Sequence, residues 1–249
     1  MLDGNINRPM EERMALNMEK MKSKMASLES RGNKDLFWKP QDGEQTIRIA
    51  PDSDGDPFKE FWFHYNLGEN QAFLSPKKNF GDDCPLDTFV RKLFDERTED
   101  SRELAKKLMA KQRFFSPVVV RGEEEKGVRL WGYSKTVYQK LLNLVLNPEY
   151  GDITDVEKGT DLTLKYGKAP GAMFPSTDIF PSRRTSPLVP DKELAAEFVE
   201  TKIEYDKLFQ RRSTEEVQTM LDAYMSSEGV EEPAPQPSSV DTAFKDLVG

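Results

Sequence analysis

The residues best suited to chemistry lie in one stretch, Lys111 to Leu142, KQRFFSPVVVRGEEEKGVRLWGYSKTVYQKLL. Arg129, Trp131, Tyr133 and Lys135 stand there at every second position, with Val128 and Leu130 on the alternate positions. In an extended chain alternate side chains share a face, so two rings and two cations would stand together. Such a surface binds single-stranded nucleic acid, because rings stack on bases while Lys and Arg track phosphates. Lys111 and Arg113 open the preceding strand. If the acidic turn Gly122–Gly127 sets Val118 and Val120 against Val128 and Leu130, then Arg113, Phe115 and Arg121 join the aromatic face. Pattern alone does not fix that register, and with it the choice between Phe114 and Phe115 stays open. An aromatic-rich hairpin can equally supply core, its cations guarding an edge.

Other chemistry finds little support. One His and one Cys, with no third group to orient them, argue against nucleophilic catalysis, and no enzyme is expected. No GxxxxGK[ST] phosphate loop occurs. The DSDGD run at 52–56 opens like a calcium loop but lacks the later Glu, and reads as a turn. His64 and Cys84 bracket an irregular segment, and three positions after Cys84 stands Asp87 rather than a second Cys. A structural zinc site wants four ligands, usually Cys or His, so no cofactor is expected.

The elements that must position these residues follow from composition and periodicity. The 249 residues carry a net charge of −8 with 37% hydrophobic content. The acidity is concentrated at one end. Residues 191–249 hold 6 basic against 14 acidic side chains, whereas residues 91–140 hold 13 against 8. A locally basic centre with an acidic tail suits a protein that manages single-stranded DNA. One cysteine allows no internal disulfide, which fits a reducing compartment. The sequence has no apolar run of membrane-spanning length and no signal-peptide core, so no membrane partner is expected.

Met10, Met14, Met18, Met21, Met25 and Leu28 form one helical stripe over 10–31, read as a docking arm or as a helix packed on its own domain. Strands are expected at Gln45–Ala50, over 58–68 and over 161–168, besides the two of the hairpin. Residues 71–87 read as irregular. Helical pieces fill 87–112 with Ser101 as a cap, and a further helix runs Val137–Leu146. Residues 169–190, rich in proline, read as a long loop where Phe174, Phe180, Arg183 and Arg184 repeat the aromatic-plus-cation composition. Helices follow at Asp191–Phe209 and Thr214–Met225, the second opened by a Ser213/Glu216 capping box. Residues 226–249 read as a disordered acidic tail. The fold class is α+β with a mainly β core: a five-stranded, partly open barrel of oligonucleotide-binding (OB) type, an irregular lobe and closing helices at 191–225.

Several ordered blocks then carry a resemblance: FWKPQDGEQTIRIAP, FHYNLG, GDDCP, RFFSPVVVRG with GVRLWGYSKTVYQKL, DLTLKYGK and STEEVQTMLDAYM. Together, from about Phe37 to Met225, the chain resembles the T-even-type phage replication single-stranded-DNA-binding (helix-destabilising) proteins. The resemblance implies an arm at 1–33, an OB-fold core at 34–225 with a degenerate zinc lobe near 64–90, and a regulatory tail at 226–249. It implies that Lys111, Arg113, Phe114, Phe115, Arg129, Trp131, Tyr133 and Lys135 contact DNA. Lys77, Lys78 and Phe80 fall in the segment matching the zinc lobe, and Phe180, Arg183 and Arg184 in the segment after the barrel. Where that family completes a zinc site with three cysteines and a histidine, only His64 and Cys84 match, which implies a lobe without metal. The N-terminal basic motif through which neighbouring copies cooperate has no clear counterpart. Implied partners are single-stranded DNA, further copies of the protein on DNA, and phage replication and recombination proteins reached by the tail, in the cytoplasm of an infected bacterium. The alternative is a replication scaffold that recruits proteins without touching DNA.

Overall fold

The computed structural model describes residues 36–52, 54–67 and 72–227. The Met-striped arm and the tail from 228 onward lie outside the described residues. Chain order is β1 (Phe37–Trp38), β2 (Gly43–Ile49), β3 (Lys59–His64), β4 (Phe73–Leu74), α1 (Pro76–Phe80), α2 (Pro85–Glu96), α3 (Glu99–Leu108), β5 (Lys111–Val120), β6 (Arg129–Tyr133), α4 (Lys135–Val145), β7 (Gly159–Gly167), β8 (Ser176–Ser186), α5 (Lys192–Glu200), α6 (Tyr205–Leu208) and α7 (Thr214–Ser227). The class is mixed α+β, as expected. The sheet has eight strands rather than five, in the order β1-β6-β5-β2-β7-β8 with β3 and β4 branching from β5. Its end strands β1 and β8 do not pair with each other among the described residues, so the sheet is open.

β5 is the centre of this sheet. One edge pairs with β3 over Lys111–Phe115 and then with β2 over Val118–Val120; the other pairs with β6 over Phe114–Val118. Its register against β6 sets Phe114 opposite Tyr133, Ser116 opposite Trp131 and Val118 opposite Arg129. The register left open by the sequence is thus settled against the one that sets Val118 and Val120 facing Val128 and Leu130, and a one-residue slip exchanges the faces of a strand. The cause is that β5 is buried on both sides. Val118 and Val120 join Ile47, Ile49, Leu162 and Leu164 in one core, while Val119 packs with Ala50, Leu188 and Phe198 in another. A strand covered on both faces reads as a continuous apolar run and carries no mark of which side faces water.

A third core lies over β3 and the start of β5, where Phe63, Tyr65, Leu74, Phe115 and Leu130 receive Phe209. The Phe209 ring centroid lies 5.0 Å from Phe61, 5.1 Å from Phe63 and 4.8 Å from Phe115. The expected helix Asp191–Phe209 instead stops at Glu200 and resumes as one turn, α6, so that Phe209 can enter this cluster. Beyond it, the Leu74 N–H donates to the Gln210 carbonyl at 2.9 Å. α7 then closes on α2 and α3, burying Val217, Leu221 and Tyr224 against Leu86, Val90 and Leu108. The capping box forms as expected: the Ser213 N–H donates to Glu216 Oε2 at 2.8 Å and the Glu216 N–H to Ser213 Oγ at 3.2 Å.

Three further expectations need correction. Within the segment read as irregular, Ser75 caps the short helix α1, with Pro76 at its first position. Thr98, not Ser101, caps α3. The proline-rich loop is largely β8, an eleven-residue strand antiparallel to β7, with Pro181 opposite Leu162 beside a register shift. Proline is tolerated there because β8 is an edge strand that needs no outward N–H bond.

The root of this β7–β8 ribbon is pinned by charge. Arg48 and Arg121 reach Asp161 at 2.9 and 2.7 Å, and Ser186 Oγ donates to the same carboxylate at 3.0 Å. The two guanidinium groups hold the Asp161 carboxyl below its ordinary pKa despite partial burial. Gly159 is required beside them, since a Cβ there would lie 2.5 Å from both Arg48 Nη1 and the Asp155 carbonyl.

Candidate nucleic-acid interface

A cleft of about 450 Å³ opens where five segments of the chain converge. Lys39 and Pro40 enter after β1, Lys111 and Arg113 from the start of β5, and Trp131 to Tyr133 from the end of β6. Ser134, Thr136, Val137 and Lys140 come from the first turns of α4; Tyr166 comes from the end of β7, and Phe174 to Thr177 from the β7–β8 turn and the start of β8. Four cations and four rings thus meet with no carboxylate among the lining residues. Ser134, the N-cap of α4, makes no side-chain capping bond. Ser134, Thr136 and Val137 of that first turn line the cleft, and a helix N-terminus carries a partial positive charge that favours an anion.

The expected residues divide. Lys111, Arg113, Trp131 and Tyr133 come together in the cleft. Trp131 is only 1% exposed and Tyr133 5%, so they form its floor rather than an open stacking platform. The Trp131 ring packs 4.5 Å from Tyr133 and 6.2 Å from Trp38, and the Tyr133 hydroxyl bonds Ser116 Oγ at 2.7 Å. Phe114 and Phe115 are both core, on opposite faces of β5. Phe114 stacks on Tyr138 of α4 at 3.9 Å, which seats the helix over the sheet. Arg129 is buried at the far end of β6 and bonds Glu123 Oε2 at 2.6 Å; it is no surface cation. Lys135 is exposed, but as the first residue of α4 rather than on a strand face.

Phe180, Arg183 and Arg184 are exposed along β8, away from the cleft lining. Lys77, Lys78 and Phe80 belong to a second patch built on α1. Lys78 Nζ lies 5.3 Å from the centre of the Trp62 ring, and the Arg211 guanidinium 4.0 Å from that of Phe80. Trp62 stands opposite Gln112, the residue between Lys111 and Arg113, so patch and cleft flank the start of β5 from its two sides. Sequence reasoning missed Lys39, Lys140, Tyr166, Trp62 and Arg211 as site residues. The composition of residues 169–190 already hinted at Phe174, which is 63% exposed at the cleft rim.

His64, Cys84 and Asp87 do cluster, their ligand atoms all within 4.8 Å of one another. His64 Nδ1 meets the Leu108 carbonyl at 3.0 Å; its Nε2 lies 3.7 Å from Cys84 Sγ and 3.5 Å from Asp87 Oδ2. Ser75 Oγ donates to the same Asp87 oxygen at 3.0 Å. The donor set is one short of a structural zinc site, and the hydroxyl that faces Asp87 is a poor zinc ligand. A proton fits the cluster better. Burial opposes charge on His64, but Asp87, Cys84 and the Leu108 carbonyl outweigh it and push the imidazole up to about 9.

Among the described residues, no helix is long and apolar enough to cross a membrane. Residues 41–225 match the family described as gp32 DNA binding protein like. No curated protein matches the chain.

Proposed function

The chain belongs to the gp32-like DNA-binding protein family, and from that premise we propose that it coats single-stranded DNA during phage replication, recombination and repair, without sequence preference and without catalysis. One observation supports the cleft as the binding surface. Lys39, Lys111 and Arg113 converge on it from two segments of the chain, with no acidic partner among the described residues. Phosphates replace the counterions around these side chains, and counterion release supplies affinity that falls with salt. Bases stack on the exposed Phe174 and on Tyr166 at the rim, while the buried Trp131 and Tyr133 give the floor its shape. Every base offers a ring face, so the contact tolerates any sequence; in a duplex those faces are covered, so duplex is refused. The patch of Lys77, Lys78, Trp62 and Phe80 extends the path of the strand.

In this reading the open sheet is a variant of the OB fold, with β8 and the α2–α3 lobe added. The lobe works without metal, the ion replaced by hydrogen bonds around a charged His64. The N-terminal arm mediates contact between neighbouring copies on DNA. The acidic tail competes with DNA for the cleft and offers AFKDLV to replication proteins in the cytoplasm of the infected host.

The test is a tryptophan-fluorescence titration with oligo(dT) and with duplex of equal length, at low and moderate salt. Quenching by oligo(dT) that weakens with salt, and none by duplex, is expected. No response to oligo(dT) would overturn the proposal and favour a scaffold that does not touch DNA.

A further inference from the structure

Of the four cations that line the cleft, Lys140 differs from the others. Its ammonium donates to Asp178 Oδ1 at 2.6 Å and to the Thr177 carbonyl at 2.9 Å, tying α4 to the start of β8 across the mouth. The Lys140 side chain is 38% exposed and that of Asp178 58%. An ion pair so open to water adds little to folding stability. Its position is more informative than its strength, because the carboxylate holds the ammonium of one of the four cations that line the cleft. Asp178 itself lies outside the cleft lining, and no other carboxylate faces that ammonium in an ion pair among the described residues.

We propose that Asp178 is an internal competitor for phosphate that tunes how tightly, and with what salt dependence, the cleft holds single-stranded DNA. This rests on the cleft being the DNA surface. An incoming phosphate must displace the carboxylate, since two anions cannot share one ammonium at hydrogen-bond distance without repulsion. The Thr177 carbonyl keeps the ammonium in place while the exchange occurs. The exchange has a thermodynamic signature. Lys140 trades one anion for another, and the freed Asp178 gathers a cation, so this contact releases no net counterion. Lys39, Lys111 and Arg113 each do.

The experiment is a salt titration of oligo(dT) binding by the unaltered chain, Asp178→Asn, Lys140→Met and the double variant. Asp178→Asn is expected to bind about 2- to 5-fold tighter at low salt, the size of a removed surface ion pair. Its plot of log affinity against log salt should be steeper by about 0.7, one added phosphate contact on a single strand. Both gains should vanish in Lys140→Met/Asp178→Asn, and thermal unfolding of Asp178→Asn should match the unaltered chain. Equal slope and affinity in Asp178→Asn and the unaltered chain would overturn the exchange. So would gains that persist in the double variant, which would mark a general field effect. No binding by the unaltered chain would overturn the proposed function as well.

Discussion

Replacing Phe174 and replacing Trp131 by alanine should have opposite consequences, although both are aromatic residues of one cleft. Phe174 is 63% exposed and belongs to none of the four hydrophobic cores, so its ring is available to a base. Losing one base–aromatic stack costs about 1–3 kcal/mol, which weakens binding roughly 5- to 150-fold. An exposed residue removed from no core changes stability by less than about 0.5 kcal/mol. Trp131 is 1% exposed and packed against Trp38 and Tyr133. Truncating a buried ring of this kind costs about 3–5 kcal/mol of folding stability. For a domain of this size the thermal midpoint should then fall by on the order of 10 °C. Each variant needs two assays, thermal unfolding and oligo(dT) binding at a temperature where it is folded. Phe174→Ala should lose affinity and keep its midpoint; Trp131→Ala should lose its midpoint first. If Phe174→Ala bound normally while Trp131→Ala lost affinity at an unchanged midpoint, the assignment of rim and floor would be wrong.

Three more outcomes follow from the packing and the charges. His64 is raised above its unfolded value near 6.5, so its contribution to stability is whole below that pH and is lost as pH rises through about 9. Urea unfolding at pH 6 and pH 9.5 should show the loss, Asp87→Asn should flatten it, and a zinc chelator at pH 7 should leave the midpoint unmoved. Phe209→Ala opens a cavity between Phe61, Phe63 and Phe115 and should cost about 3–5 kcal/mol in the same assay, separating α7 from the sheet. Deleting residues 228–249 removes net negative charge and should tighten oligo(dT) binding, most at low salt; weaker binding would count against competition by the tail.

How much of this was legible in the sequence depended on how each element meets water. β7 and α7 each bury one face, and β2 sets apolar Ile47 and Ile49 on the face opposite polar Arg48, so alternation in QTIRIA and DLTLKYG and the spacing of Val217, Leu221 and Tyr224 marked them correctly. β5 is buried on both sides, and its three valines could not say which of Phe114 and Phe115 shares a face with Trp131. β8 fails for the opposite reason: much of it is exposed, and Pro181 disguises an edge strand as a loop. Of the aromatic–cation alternation only Trp131 and Tyr133 line the cleft, and they belong to its floor because the same face of β6 also closes the main core. Lys39 and Phe174 reach the site from segments remote in sequence, and only the pairing of β1 with β6 and of β7 with β8 brings them there. The acidic tail and the Met-striped arm fall outside the described residues, so those readings rest on composition alone.

The central claim is that single-stranded DNA lies in the cleft on Lys39, Lys111 and Arg113. Its most direct test is the salt dependence of oligo(dT) binding by the unaltered chain and by Lys39→Gln/Lys111→Gln. These three phosphate contacts contribute about −2 to the log–log slope, and removal of two should make the slope shallower by about 1.4 with much weaker binding at low salt. An unchanged slope and affinity in the double variant would mean that DNA binds elsewhere on the protein.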